Sequence, residues 1–203
     1  MESSLPESIS SAIESLNIEA KSLRKQMEEI AASDSFPRAI QLIDKCEGKI
    51  ILTGIGKSGL CGEKIAASFS SIGIPSFFLN ALDAYHGQLG VVTKHDLVIV
   101  ISYSGRTEEL LRLTQHIRAI TPIICLCGDV HSPLASFSEC VLKICIESEA
   151  DPLKTLPTSS VITTLAIGDA LTAALMRKRN VSLSDIYKHH PGGSIGSLIS
   201  SQV

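Results

Sequence analysis

The chain has 203 residues and no Pro-, Ser- or charge-rich linker, so it reads as a single domain, 1–203, with N-terminal helices over 1–47 and an α/β core over 48–203. Hydrophobic residues make up 44% but aromatic ones only 4%, with no Trp, so the core is aliphatic. A net charge of −3 gives no basic footprint for nucleic acid or for membrane phosphates, and excludes both as expected partners.

The N-terminus, MESSLPESISSAIESLN, lacks the basic flank and apolar run of a signal peptide, and no stretch reads as long and apolar enough to span a bilayer. Apolar positions at Ile9, Ile13, Leu16, Ile18, Leu23, Met27 and Ile30 predict an amphipathic helix over 8–31, and a shorter helix follows at 37–46. Strands are predicted at 49–54, 76–79, 97–102, 122–127 and 140–145. Helical patterns fall between them near 60–72, 83–88, 107–119 and 132–137. After the loop ESEADPLKTLPTSS comes a helix at 158–178 with Thr158 or Ser159 as N-cap, then a short helix begun by Ser182 or Ser184 and the tail HHPGGSIGSLI. Near-continuous apolar strands alternating with helices predict a doubly wound α/β fold, a parallel sheet covered on both faces.

Two strand-to-helix turns carry the chemistry. ILTGIGKSGLCG (51–62) ends a strand in glycines with Lys57 and Ser58, and LVIVISYSGRTEELL (97–111) ends one in Ser102, Ser104 and Gly105 before Thr107. Helix-start N–H groups carry partial positive charge, and glycines such as Gly56 let them approach an anion closely, so the pair predicts a phosphate site. Strands one and three side by side, with strand two outside, would place both turns at a switch point. A bare chain-reversing turn is the simpler reading of either one alone. Gly54, Gly56 and Gly59 also spell G-x-G-x-x-G, but Asn80 stands where a dinucleotide site needs an acid. A P-loop would need glycine at position 51, where this chain has Ile51.

Acid/base candidates are Glu108 and Glu109 at a helix start, Glu147, Glu149 and Asp151 past the fifth strand, and His86 and His190 beside glycines. The helix dipole alone would account for one of the first pair. Six cysteines without an export signal read as reduced thiols of a cytoplasmic protein. Cys125 and Cys127, with no second pair or nearby His pair, do not form a zinc motif.

GIGKSG (54–59), PSFFLNALDAYHGQLG (75–90), VIVISYSGRTEEL (98–110), PTSSVITTLAIGDALTAAL (157–175) and HHPGGSIG (189–196) together resemble the sugar isomerase (SIS) family, within it the arabinose-5-phosphate isomerases. The resemblance implies a flavodoxin-like five-stranded parallel sheet, a homotetramer and no cofactor. No metal ligand is assigned, with a divalent metal near the histidines left open. Because His86 and His190 lie far along the chain from the glycine turns, shared active sites are expected. The resemblance also implies interconversion of D-ribulose 5-phosphate and D-arabinose 5-phosphate through an enediol, the first step toward Kdo of lipopolysaccharide or capsule. Matched position by position, Lys57, Glu109, Glu149 and His190 are catalytic, and His86 is a second pocket histidine. Phosphate binding falls on Ser58, Ser102, Ser104 and Thr107. Glu149 is assigned as base and Glu109 as partner or second relay, with the reverse assignment open. Gln88, Tyr103 and Arg106 stand where the family usually has Asp, Asn and Glu. The chain ends soon after HPGGSIG, without the CBS pair of many relatives. Alternatives are a 6-phospho-3-hexuloisomerase, a non-catalytic sugar-phosphate sensor and, from the glycine fingerprint, a dehydrogenase.

Overall fold

A computed structural model describes residues 6–190 and 192–200; Pro191 of the HHPGGSIG tail lies outside the described residues. Two helices lead in, α1 (Glu7–Ala32) and α2 (Ser35–Asp44). Then follow β1 (Ile50–Gly54), α3 (Lys57–Ser71), β2 (Ser76–Phe78), α4 (Ala81–Tyr85), β3 (Leu97–Ile101), α5 (Glu108–Ile117), β4 (Ile123–Cys127), α6 (Pro133–Ser136) and β5 (Cys140–Lys143). The chain continues through α7 (Ser159–Lys178), α8 (Leu183–His189) and α9 (Gly193–Ser200). The α/β expectation holds.

The five strands are all parallel in the order β2-β1-β3-β4-β5, so β1 and β3 are neighbours with β2 outside, as the sequence predicts. β1, β3 and β4 are buried throughout, which explains their unbroken apolar runs. Alternate residues serve opposite faces. Ile50, Leu52, Leu97, Ile99, Ile124 and Leu126 pack toward α2, α3 and α7. Ile51, Val98, Val100, Ile123 and Cys125 pack toward α4, α5 and α6. The register Leu52↔Ile99 and Gly54↔Ile101 brings the carboxyl ends of β1 and β3 level. A side chain such as Phe69 on α3, fully buried in this core, contributes on the order of 3–5 kcal/mol by the cost of its truncation to Ala.

Three local differences from the sequence reading have physical causes. Helix α3 starts at Lys57 rather than near residue 60, so both Lys57 and Ser58 lie in its first turn. Its glycines hide the helix from propensity, yet Gly59 is required, since a Cβ there would sit 3.0 Å from the Gly54 carbonyl oxygen. Helix α4 starts at Ala81 because the Asn80 side chain accepts from the N–H groups of Leu82 and Asp83. Helix α1 buries Ser22 and Gln26 instead of its apolar stripe, and leaves Ile9, Ile13, Leu16 and Met27 exposed. Gln26 Oε1 accepts from Cys145 N–H at 2.7 Å and Ser22 Oγ from Glu147 N–H at 3.0 Å, so the helix satisfies the backbone beyond β5.

One expectation is corrected. Helix α7, with 20 residues and a mean hydropathy of 1.5, is long and apolar enough to cross a membrane by length and composition. Its Ile167, Leu171 and Leu175 are buried in the core beside α3, which is where a core helix puts such residues.

Candidate active site

Helices α3 and α5 leave β1 and β3 toward opposite faces of the sheet, and the crevice between the strand ends is where open α/β sheets hold ligands. A cavity of about 420 Å³ opens there, and Lys57, Ser58, Ser102, Ser104, Thr107 and Glu149 all line it. Six candidate positions, spread from residue 57 to 149, thus converge on one cavity.

The first turn depends on Gly56, which caps α3 at φ 59°, ψ −130°, a conformation L side chains rarely adopt. Only Ile55 and Gly56 separate β1 from α3, so the first N–H groups of the helix, which have no intrahelical acceptor, follow directly on the strand end. In the second turn Ser102 is buried. Its Oγ lies 3.1 Å from Thr107 Oγ1 and accepts from Gly105 N–H at 3.2 Å. Gly105, at φ 62°, has no room for a Cβ, which would meet Ser132 Oγ at 2.2 Å. Ser104 is exposed, and its Oγ accepts from Arg106 N–H at 3.2 Å. Two anchored hydroxyl turns and a lysine at a helix start form a receptor for a phosphate-sized anion.

Glu149 enters from the segment after β5. Its Oε2 accepts three hydrogen bonds, from Thr158 N–H at 2.9 Å, Thr158 Oγ1 at 3.1 Å and Ser160 N–H at 3.2 Å. Thr158 occupies the N-cap position as the sequence expects, but its own side chain makes no cap bond to α7; Glu149 does that from outside. The carboxylate is half-buried and held at a helix N-terminus beside the anion-binding turns.

The remaining candidates lie elsewhere in a single chain. Gly56 lines a neighbouring cavity of about 190 Å³ with Glu63 and Asn80. Glu109 is exposed in the first turn of α5 and does not line the main cavity. His86 caps the C-terminus of α4, exposed, with its ring edge-on to Tyr85 at 5.9 Å. His190 caps α8, its Nδ1 3.3 Å from the Ile186 carbonyl oxygen. Arg106 turns away from the cavity to pair with Asp129 at 2.8 Å. The N–H of His131, then Arg106, hold Asp129 below the usual carboxylate range.

Two further lining residues have no site role assigned from the sequence: Tyr103, noted there only as standing where the family usually has Asn, and Lys154. Tyr103 stacks over Gly128, whose Cα hydrogen side it covers so closely that a Cβ would lie 2.7 Å from its ring. Burial, and then the charge of Glu149, push its phenol above the ordinary value, so it stays protonated. Lys154 is the second, on a loop with no motif to announce it. Among the described residues, no cluster of three or more His, Cys, Asp or Glu side chains is placed to hold a metal ion.

Residues 43–174 match the SIS domain. The chain belongs to the SIS domain family. It is 41% identical over 171 residues to the arabinose 5-phosphate isomerase GutQ of Salmonella typhimurium, covering 84% of this chain and 53% of that protein. To the arabinose 5-phosphate isomerase KpsF of Escherichia coli it is 39% identical over 184 residues, 90% of this chain and 57% of that one. The chain therefore spans little more than half the length of these curated relatives. An E. coli CFT073 protein solved in complex with arabinose 5-phosphate superposes with a TM-score of 0.84 at 34% identity, covering 92% of this chain and all of that one.

Proposed function

We propose that this SIS domain is a D-arabinose 5-phosphate isomerase, interconverting D-ribulose 5-phosphate and D-arabinose 5-phosphate. The observation that carries the reading is the meeting of Lys57 and Glu149 with the two hydroxyl turns around one cavity. The family resemblance and the arabinose 5-phosphate complex of a relative point to the same substrate.

Ser58, Ser102, Ser104 and Thr107 hold the sugar's phosphate at the strand ends. Glu149, fixed through Oε2, takes the proton from C1 of the ketose and returns it to C2, giving the aldose through an enediol. Positioned acid/base catalysis of this kind is worth roughly 10²–10⁴-fold. Lys57 stabilises the negative charge that develops on the enediol oxygens. Glu109, His86 and His190, which lie outside the cavity of their own chain, act in a neighbouring subunit's site, moving protons at substrate oxygen. The assembly is a homotetramer built in part through the exposed apolar residues of α1. Its product feeds Kdo synthesis in the cytoplasm, where the six free thiols, five of them buried, remain reduced.

The deciding experiment incubates the protein with D-ribulose 5-phosphate and follows the sugar by NMR. Appearance of D-arabinose 5-phosphate is the expected result. Conversion of a 3-hexulose 6-phosphate in its place would assign the hexuloisomerase reaction. Binding of either sugar without turnover would make the domain a sensor.

A further inference from the structure

Lys154 and Asn180 are the non-glycine residues with positive φ among the described residues, at 57° and 52°. Asn180 follows the end of α7, and asparagine tolerates this conformation well. Lysine has no such tolerance, so the surrounding turn must impose it. The turn is built on Asp151. Its carboxylate accepts from Leu153 N–H at 2.9 Å, Thr155 N–H at 2.8 Å and Leu156 N–H at 2.9 Å, while its carbonyl accepts from Lys154 N–H at 3.0 Å. Lys154 is pinned from both sides.

The pinned lysine lines the main cavity, together with Lys57 and Glu149. It also borders a second cavity of about 410 Å³ that carries Glu7 and Glu14. Among the described residues it makes no ion pair. The charge balance then becomes decisive. Two lysines against one glutamate give the main cavity a net charge of +1, and without Lys154 the lining would be neutral. A phosphate monoester carries about −1.5 to −2 at neutral pH, and a cavity of net positive charge draws it in more strongly than one whose side-chain charges cancel.

We propose that Lys154 is a second cation of the substrate site, which gives the cavity its positive sign and, with Lys57, binds the anionic end of the sugar phosphate. The strained backbone is maintained because it holds this lysine at the cavity wall. The identity of the sugar rests on the isomerase reading; the anion site does not, and inorganic phosphate probes it alone.

Glycine at this position separates the two roles a lysine could have here. Lys154→Gly suits the left-handed backbone and removes the side chain with its charge, so if Lys154 were a mere turn residue the variant would bind phosphate unchanged, with a thermal midpoint equal or higher. If Lys154 is the second cation, Lys154→Gly weakens inorganic phosphate about tenfold by calorimetry, reduces the salt dependence of binding, and leaves the thermal midpoint no lower than wild type. Lys154→Arg keeps most of the affinity. Unchanged affinity and salt dependence in Lys154→Gly overturns the inference, as does a loss of affinity that comes only with a lowered midpoint. The two readings fail separately. A wild-type protein that binds phosphate through Lys154 but isomerises no pentose phosphate leaves this inference standing. Full isomerase activity with unaltered phosphate binding in Lys154→Gly leaves only the isomerase reading.

Discussion

Thr158 donates twice to one oxygen of Glu149, through its N–H at 2.9 Å and its hydroxyl at 3.1 Å. The same hydroxyl accepts from Ala150 N–H at 2.7 Å, so a single threonine fixes both the carboxylate and the chain that carries it. With Oε2 saturated by three donors, Oε1 is the oxygen that carries none of these bonds. A base needs such immobility, because a misplacement of about 1 Å can cost 10²-fold in rate.

Thr158→Val should therefore lower kcat about 10–100-fold with KM changed less than about threefold, since the phosphate turns are untouched. Thr158→Ser, which keeps the hydroxyl, should restore most of the rate. Steady-state kinetics on the three proteins decides it. A kcat in Thr158→Val equal to wild type would mean that Glu149 needs no such support, or is not the base.

The serines of the second turn should behave differently from each other. Ser104 Oγ accepts from Arg106 N–H, which leaves its proton available to a ligand. Ser104→Ala should weaken inorganic phosphate roughly 10–150-fold, the cost of about 1.5–3 kcal/mol for a hydrogen bond to a charged group, and leave thermal stability unchanged. Ser102 is buried and its Oγ holds Gly105 N–H, so Ser102→Ala should lower the melting temperature as well. Calorimetry and melting curves separate the two. Equal affinity in Ser104→Ala would remove this turn as the anchor.

The strands and the crevice were legible because their causes are local. Unbroken apolar runs such as Leu97–Ile101 announce a doubly covered sheet, and glycine-hydroxyl junctions announce a helix start near a ligand. What escaped the sequence depends on partners distant in the chain. The inward side of α1 is polar because Gln26 and Ser22 meet N–H groups at 145 and 147, more than a hundred residues on. Lys154 gave no signal, since its conformation comes from the Asp151 carboxylate and not from its own preference. Glu109, His86 and His190 stood out by motif, yet their own chain does not bring them to the cavity.

Asp96 ties the starts of β1 and β3 together away from the site, and its effect should follow pH. Burial would raise its pKa, but the N–H groups of Lys49 and Thr93, with the Lys49 ammonium at 3.0 Å, leave it below the usual range. A folded pKa below the unfolded value stabilises the protein above the unfolded value, about 3.9, and that contribution disappears as pH falls through the folded one. Asp96→Asn should cost about 1–3 kcal/mol at pH 7 in denaturant melts, and the gap to wild type should narrow below about pH 4. A gap that stays constant with pH would show that the carboxylate charge contributes nothing.

Gly128 gives Tyr103 its place on the cavity wall. A Cβ at residue 128 would lie 2.7 Å from the Tyr103 ring, so Gly128→Ala should push the ring out of position and reduce kcat/KM about tenfold. Replacing Tyr103 with Asn in the same chain removes the clash and should recover much of that loss. A double variant no better than Gly128→Ala would show that the strain acts on the backbone, where Gly128 N–H meets the Tyr103 carbonyl oxygen at 2.8 Å, and not on the ring.

His190 stays outside the cavity of its own chain. It caps α8, and the described contacts hold it there only through Ile186 and Tyr187. Along α1, Ile13 is 45% exposed and Leu16 65%, while Leu153 on the Lys154 loop is 79% exposed; a subunit packed there would cover them. If a neighbour supplies His190, Lys57→Ala and His190→Ala should each be inactive alone. Mixed after controlled dissociation, they form some sites that combine an intact lysine from one chain with an intact histidine from another. Activity should return to a measurable fraction of wild type, because pairing at random leaves a share of the sites whole. The isomerase assay reads the return and native mass spectrometry verifies that mixed oligomers are present. Mixed oligomers without activity would mean that each subunit closes His190 over its own cavity, through a rearrangement of the segment after α7.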